Sequence, residues 1–293
     1  MKILLTGATG FTGERVLAEL RGRQLPVRCL VRSETNAARL RAAGVEAIVG
    51  DLGDGEGFEH ALGGCDTLIN VASLGFGHGP GIVAAAERAG VSRAVFVSTT
   101  AIFTSLNAPS KAVRIAAEAA IQSSRLAWTL VRPTMIYGSA RDRNICRLIR
   151  YLHRFPVLPV FGPGTSLLQP VFVDDLAAAI VTATECPAAV GREYAIAGAQ
   201  PLTYNELVRT VGRLMGRRHI LLHLPYRPFV AALQWTERAG LRLPLKAEQI
   251  LRLNEPKAFS WAPAARDFGY APRSFAAGVA HEIASLGLPL AAT

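Results

Sequence analysis

The sequence predicts an α/β fold built on a doubly wound parallel sheet, with a small substrate lobe toward the carboxyl terminus. Short apolar runs alternate with segments of helical periodicity through the first half of the chain, and most of these runs are apolar without interruption. Such strands are typical of a parallel sheet covered by helices on both faces. After Pro133 this regular alternation of apolar runs and helical segments ends. We therefore expect a main α/β domain over 1–170 and a smaller, mainly helical lobe over 171–293, interleaved with it.

The elements of the first half follow from these periodicities. The predicted strands cover 2–6, 27–32, 46–49, 67–70, 94–98 and 127–132. The predicted helices between them cover 13–23, 35–43, 55–62, 81–89 and 109–123. This regular alternation is the pattern of strands joined by crossover helices.

The second half is punctuated by prolines and glycines between residues 156 and 170. Helical patterns then recur at 174–185, 203–216, 228–239 and 274–286. Two short apolar segments, 171–173 and 193–196, are candidates for further strands of the main sheet.

Bulk composition limits the class of protein. The chain begins directly with a strand, and no run of about 18 apolar residues occurs, so we expect a cytoplasmic protein without an integral membrane segment. The four cysteines lack metal-ligand spacing, and no metal site is expected. The net charge of +10 suits phosphates, anionic membranes or nucleic acid. Because the basic residues are scattered and no aromatic-basic motif occurs, we expect no nucleic-acid partner.

The strongest motif is the glycine-rich turn after the first strand. It reads Thr6-Gly7-Ala8-Thr9-Gly10-Phe11-Thr12-Gly13 and opens a helix. Gly7 permits a tight turn, Gly10 allows the backbone to approach a pyrophosphate, and Gly13 allows the helix to pack close to the strand. The helix N-terminus then directs its N–H groups at the phosphates. The turn, including Thr9, Phe11 and Thr12, predicts a dinucleotide site in a Rossmann-type domain.

The end of the second strand indicates which dinucleotide binds. NAD-binding domains usually place an acidic residue there to hold the ribose 2′-hydroxyl. In this chain the strand ends at Arg32, and the first acid is Glu34. A guanidinium suits a 2′-phosphate by charge and by bidentate geometry. We therefore expect NADP, with NAD as the alternative.

Further cofactor contacts are expected after the third and fourth strands. Asp51 can accept a hydrogen bond from the adenine amino group, with Leu52 against the ring; the other interpretation of Asp51 is a helix N-cap. Ala72 and Ser73 follow the fourth strand and would lie along the ribose and pyrophosphate.

Several motifs in order along the chain resemble the short-chain dehydrogenase/reductase superfamily, in its extended or atypical branch. They are the glycine turn, Gly50-Asp51-Leu52, Val97-Ser98-Thr99-Thr100, Arg132-Pro133-Thr134-Met135-Ile136-Tyr137-Gly138, Pro170-Val171-Phe172-Val173-Asp174-Asp175 and Asp267-Phe268-Gly269-Tyr270-Ala271-Pro272-Arg273. The resemblance, which extends to epimerase/dehydratase-like and NmrA-like proteins, implies a nicotinamide cofactor contacted also by Pro133. It further implies a small-molecule substrate and a homodimer as the family expectation.

The chain departs from this family at the Tyr-x-x-x-Lys motif of the fifth helix. If Lys111 is the motif lysine, the tyrosine position is Asn107; if the motif lysine is replaced by Arg114, the tyrosine position is Ser110. Both registers lose the phenol, and neither asparagine nor a serine without an adjacent base replaces it as a general base. The second register requires no insertion before the next strand.

The candidate catalytic residues are therefore Ser98, Lys111, Arg114 and Tyr137. The resemblance places Ser98 at the substrate-positioning serine, while Lys111 could act on the substrate directly and Tyr137 could supply a proton from the next loop. Lys111, Arg114 and Glu118 share one helix face, where Arg114 and Glu118 could also form a surface ion pair.

Two functions remain open from the sequence. The first is an NADP(H)-dependent oxidoreductase or epimerase/dehydratase acting on a small molecule, with a nucleotide-activated sugar as one candidate. The second is a non-catalytic NAD(P)-binding redox sensor or an accessory subunit of a larger complex. The missing tyrosine favours the second function. The family-like carboxyl-terminal segment and arginine-rich loops favour the first.

Overall fold

The structure is a computed structural model that describes residues 1–106, 109–238 and 247–291. The chain forms two compact units. Unit 1 contains Met1–Thr134, Val173–Ile196 and Ser260–Ala271, and unit 2 contains Met135–Phe172, Ala197–Phe259 and Pro272–Thr293. Residues 135–170, which the sequence-based division groups with the main α/β domain, thus belong to the second unit, whereas 173–196, which it groups with the smaller lobe, belong to the first.

Strands and helices alternate along most of the chain. The strands of the described residues are β1 (Ile3–Thr6), β2 (Val27–Val31), β3 (Glu46–Val49), β4 (Thr67–Asn70), β5 (Arg93–Val97), β6 (Ala127–Pro133), β7 (Ile136–Tyr137), β8 (Val157–Phe161), β9 (Leu167–Leu168), β10 (Val171–Phe172), β11 (Arg192–Ile196), β12 (Leu202–Thr203) and β13 (Ile220–Leu224). The α-helices are α1 (Phe11–Gly22), α2 (Glu34–Ala42), α3 (Gly55–Leu62), α4 (Gly79–Arg88), α5 (Pro109–Gln122), α6 (Ile145–Arg154), α7 (Val173–Glu185), α8 (Tyr204–Leu214), α9 (Tyr226–Arg238), α10 (Ala247–Leu253), α11 (Ala262–Phe268) and α12 (Phe275–Ser285).

Unit 1 is built on a seven-stranded parallel sheet in the order β11-β6-β5-β4-β1-β2-β3. Alternate side chains of its central strands enter two hydrophobic layers, because successive residues of a strand point to opposite faces. Leu4 and Leu68 lie in the core with α3, α4 and α5, while α1 and α7 pack together elsewhere in the unit. The predicted doubly wound α/β fold is confirmed. The strand order reverses between β1 and β4, where open α/β sheets bind their ligands.

In its described residues, unit 2 has its own core and three two-stranded sheets, which pair β7 with β10, β8 with β13 and β9 with β12. The prediction that 171–173 could extend the main sheet is wrong, because Val171 and Phe172 pair with β7. The same prediction for 193–196 is confirmed, since β11 pairs with β6. No helix in the described part of the chain has both the length and the apolar character needed to span a membrane.

Candidate functional site

The glycine turn joins β1 to α1 at the point where the strand order of the sheet reverses. Gly7 has φ +71°, and a Cβ atom there would lie 2.9 Å from the backbone nitrogen of Ala72. A Cβ atom on Gly13 would lie only 1.9 Å from the carbonyl oxygen of Gly7. Both positions therefore require glycine, one for its conformation and its approach to the residue after β4, the other for the approach of α1 to the turn.

A hydrogen-bond network fixes the ends of β1 and β4 beside each other. The hydroxyl of Thr6 donates to Asn70 Oδ1 (2.7 Å), and Asn70 Nδ2 donates to the carbonyl oxygen of Ala72 (3.0 Å). The N–H of Ala72 in turn donates to Thr6 Oγ1 (3.4 Å). Thr6 and Asn70 are buried, so this network holds Gly7 and Ala72 together without relying on solvent.

The N-terminus of α1 faces the same edge of the sheet. Gly10 is its N-cap and donates its N–H to the carbonyl oxygen of Gly7 (2.9 Å). Because glycine has no side chain to cap the helix, the N–H groups of Phe11, Thr12 and Gly13 have no partner within the first turn. Such groups, together with the helix dipole, bind phosphate. This arrangement fits the pyrophosphate of a dinucleotide.

Arg32 is exposed immediately after β2 and forms no ion pair or hydrogen bond with the described residues. The nearby carboxylate of Glu34 instead accepts a hydrogen bond from Arg41 Nη1 (2.5 Å). Ser33 caps α2 by accepting from the N–H of Asn36 (3.4 Å). The guanidinium of Arg32 is therefore available to an anion at this corner of the sheet.

Asp51 and Leu52 follow β3. Asp51 Oδ1 accepts a hydrogen bond from the N–H of Gly53 (2.7 Å). The N-cap of α3 is Asp54, whose carboxylate accepts from the N–H of Gly57 (3.1 Å), so the N-cap interpretation of Asp51 is wrong. Leu52 packs partly against the core.

The fifth helix presents Arg114 toward the loop after β4. Arg114 Nη1 donates to Ser110 Oγ (3.0 Å), and Nη2 donates to Ser73 Oγ (3.4 Å). Lys111 Nζ instead donates to the carbonyl oxygen of Thr104 (2.5 Å), in the segment after β5. Of these two basic side chains, Arg114 is therefore the one that reaches Ser73. Asn107, the tyrosine position of the first register, lies outside the described residues.

The hydrogen-bond partners of Ser98 were not predicted from the sequence. Its hydroxyl donates to Glu118 Oε1, and Arg132 donates to both Glu118 oxygens (2.6 Å at the shortest) and to Glu193 (2.5 Å). The Glu118 and Arg132 side chains are only 6% and 9% exposed. Burial alone would lower the pKa of Arg132, but its hydrogen bonds to Glu118 and Glu193 outweigh burial and raise that pKa above its ordinary value. Glu118 therefore pairs with Arg132 in the interior, and the surface pair with Arg114 is not formed.

Tyr137 and Pro133, the two remaining predicted site residues, form hydrogen bonds within the protein. Tyr137 belongs to unit 2, where its hydroxyl donates to the carbonyl oxygen of Phe275 (3.4 Å) and its ring packs against Phe172 and Phe275. It is 1% exposed. Pro133 ends β6, and its carbonyl oxygen accepts from the hydroxyl of Thr100 (3.2 Å).

A glycine turn and a helix N-terminus at the strand-order reversal of a parallel sheet define a dinucleotide-binding Rossmann protein. A family model described as NAD(P)H-binding matches residues 7–148. The chain is similar to a 2-alkyl-3-oxoalkanoate reductase of Stenotrophomonas maltophilia, with 26% identity over 93% of this chain and 95% of that protein. It is 30% identical to a ceramide reductase of Caulobacter vibrioides, over 76% of this chain and 73% of that protein.

A solved structure has the same fold. The triphenylmethane reductase of Citrobacter sp., complexed with NADP(H), has a TM-score of 0.76 and 19% identity, over 95% of this chain and 99% of that chain. The NAD(P)H-binding family model and the relative of 30% identity show that the chain belongs to the NAD(P)-dependent short-chain dehydrogenase/reductase-like superfamily. Its enzyme class is that of NAD(P)-dependent oxidoreductases, and its cofactor is NAD or NADP.

Proposed function

We propose that this protein is a reductase of a small molecule that prefers NADPH to NADH. The observation that carries the preference is Arg32, an exposed guanidinium at the end of β2 without an ion pair to the described residues. A 2′-phosphate at this corner would gain a charge-assisted hydrogen bond from Arg32. The ribose hydroxyl of NADH has no charge and gains much less.

The residues around the turn fit the rest of the dinucleotide. The space that a Cβ atom at Gly7 or Gly13 would occupy is already taken by backbone, so the turn brings main-chain N–H groups close to the pyrophosphate. Asp51 and Leu52 are proposed to contact the adenine, and Ala72, Ser73 and Pro133 the ribose and nicotinamide side. When bound, the nicotinamide ring supplies the hydride.

The basic side chains of α5 are proposed to stabilise negative charge and to donate a proton in place of the missing phenol. A guanidinium remains charged at all relevant pH values, so Arg114 is assigned to hold a cofactor hydroxyl near Ser73 and to stabilise negative charge. The ammonium of Lys111 can donate a proton, and we assign it as the general acid. Ser98 is assigned to position the substrate. Because its own proton is engaged by Glu118, Ser98 would accept a hydrogen bond from the substrate rather than donate one.

The reductase assignment is supported by the names of the three relatives and neighbours reported above, each of which is a reductase. The substrate class that we propose to test first is a small ketone, including a 3-oxo acid. A nucleotide-activated sugar, the candidate from the sequence, belongs in the same panel.

The cofactor assignment is tested by calorimetric titration of the protein and of Arg32→Ala with NADPH and NADH. Arg21→Ala is the matched control, because Arg21 is an exposed arginine in the last turn of α1. We expect Arg32→Ala to weaken NADPH binding about tenfold or more, since a hydrogen bond between charged groups contributes about 1.5–3 kcal/mol. NADH binding and the Arg21→Ala variant should change little. Equal weakening of both cofactors would contradict the assignment.

The catalytic assignment is tested by NADPH oxidation with the substrate panel, using Lys111→Arg and Lys111→Ala. Arginine keeps the charge but cannot act as a proton donor, so we expect both variants to lose at least about a hundredfold in kcat while binding NADPH normally. Full activity in Lys111→Arg would show that charge alone matters. Cofactor binding without turnover of any substrate would favour the redox sensor or accessory subunit.

A further inference from the structure

Unit 2 carries a surface that combines exposed apolar side chains with an excess of arginine. Its centre is the two-stranded parallel sheet of β8 and β13, in which Ile220 pairs with Val157 and Leu222 pairs with Pro159. Alternate residues of a strand share one face, so these four side chains lie together. All four are exposed, Ile220 by 67% and Leu222 by 51%. We call them the apolar strip.

The far end of the same face is covered by α9. Phe161, the last residue of β8, lies two positions beyond Pro159 and packs edge-on against Phe229, with ring centroids 5.0 Å apart. Phe161 also packs against the small core of Val230, Ala247 and Ile250. The helix therefore covers only one end of the sheet, and the apolar strip continues toward the exposed ring of Phe229.

Arginines surround the start of the strip. Arg154 and Phe155 lie just before β8, and Arg217 and Arg218 lie just before β13; all four residues are exposed. The two strands begin side by side, because the N–H of Ile220 donates to the carbonyl oxygen of Pro156 and Arg217 Nη1 donates to the carbonyl oxygen of His153. The three guanidinium groups therefore belong to one edge of the strip.

The two sequence segments that carry β8 and β13 are rich in arginine, although acidic residues flank them at Asp142, Asp174, Glu206 and Glu237. Residues 143–173 and 207–236 contain nine arginines and no aspartate or glutamate. The arginines are Arg143, Arg147, Arg150, Arg154, Arg209, Arg213, Arg217, Arg218 and Arg227. Arg209, Arg213, Arg217 and Arg218 also line a groove of about 550 Å³ between α8 and the start of β13.

From this combination we propose that the β8–β13 face docks on an anionic lipid bilayer. Lipid headgroups supply the negative charge that arginines attract, and the interface beneath them accepts exposed apolar side chains. Nucleic acid would match the arginines but leave the apolar strip in water. A second copy of the chain would place the basic edge of Arg154, Arg217 and Arg218 against an equally basic face, which opposes association.

Vesicle co-sedimentation of the full chain tests the proposal. The vesicles contain phosphatidylcholine alone or phosphatidylcholine mixed with phosphatidylglycerol. We expect retention on the mixed vesicles that falls as salt is raised, and little retention on the neutral ones. Arg154→Gln with Arg218→Gln should lower the partition coefficient about 30-fold, since each arginine at an anionic surface contributes about fivefold. Ile220→Thr with Leu222→Thr should lower it about tenfold through lost apolar burial.

The control is Arg21→Gln with Arg125→Gln, which removes the same charge from exposed positions in unit 1 and should partition like the unmodified protein. Far-ultraviolet circular dichroism establishes that each variant is folded. Three results would overturn the proposal. They are absent or charge-independent vesicle binding, duplex DNA binding that the Ile220/Leu222 variant leaves unchanged, and a concentration-dependent dimer that the same variant abolishes.

Discussion

Replacing Gly13 by alanine is the sharpest test of the turn geometry. The new Cβ atom would lie 1.9 Å from the carbonyl oxygen of Gly7 and 2.6 Å from its carbonyl carbon. These contacts involve backbone, so the first turn of α1 must move away from the Gly7 turn by more than about 1 Å to reach ordinary separations. That movement is opposed because α1 packs against α7 and buries Val16, Leu17 and Leu20. Overpacking of this kind typically destabilises by about 1–3 kcal/mol.

The same movement displaces the N–H groups at the start of α1. Loss of one well-aligned hydrogen bond to a phosphate oxygen lowers the binding free energy by about 1.5–3 kcal/mol, which weakens the dinucleotide at least about tenfold. Urea unfolding measures the stability of the Gly13→Ala variant, and calorimetric titration with NADPH measures its affinity.

The matched control is Gly22→Ala in the last turn of the same helix. A Cβ atom on Gly22 would have no atom within 4 Å beyond its chain neighbours and the backbone of its own helix, so alanine there should be neutral or stabilise by up to about 1 kcal/mol, because alanine favours the helix. Equal stability and equal NADPH affinity in the two variants would refute the close approach of α1 to the turn.

Two further predictions concern buried carboxyl groups. Glu118→Gln should lower the free energy of unfolding in urea by about 3 kcal/mol, because it leaves the buried charge of Arg132 poorly compensated. Glu193→Gln, at the half-exposed partner of Arg132, should lower it by less than about 1 kcal/mol. Similar losses of stability in the two variants would contradict the buried pair. Glu282 is fully buried and faces Asp142, and burial followed by the charge of Asp142 raises its pKa to about 9. Protonated Glu282 would lose its proton on unfolding above about pH 4.5, so stability falls with rising pH up to about 9. Glu282→Gln should therefore gain up to about 4 kcal/mol between pH 5 and pH 8 relative to the unmodified protein; a gain independent of pH would contradict the raised pKa.

The strands of the main sheet and the glycine turn could be predicted because their signals are local. A strand covered on both faces is apolar along its whole length, and the turn requires glycine at fixed spacing. The contact between Arg114 and Ser73 was not predicted, because residue counting between α5 and β6 left two registers of the basic residue open.

The contacts of Ser98 could not be predicted, because Ser98, Glu118 and Arg132 are brought together by tertiary packing across β5, α5 and β6. Spacing along α5 alone suggested a surface pair between Arg114 and Glu118. The short strands of unit 2 other than β10 were missed for a related reason. Each has between two and five residues and pairs with a distant segment, so no periodicity in the sequence marks it.

The most direct test of the proposed NADP site is the ³¹P NMR titration of bound NADP⁺. The resonance of the 2′-phosphate is followed against pH in the protein and in Arg32→Ala, with Arg21→Ala as the control. The second pKa of a phosphate monoester is about 6 in water. A guanidinium in contact with the phosphate favours the dianion, so we predict a pKa below that value in the unmodified protein and in Arg21→Ala, returning toward it in Arg32→Ala. An identical titration in all three proteins would contradict the assignment of Arg32 to the 2′-phosphate.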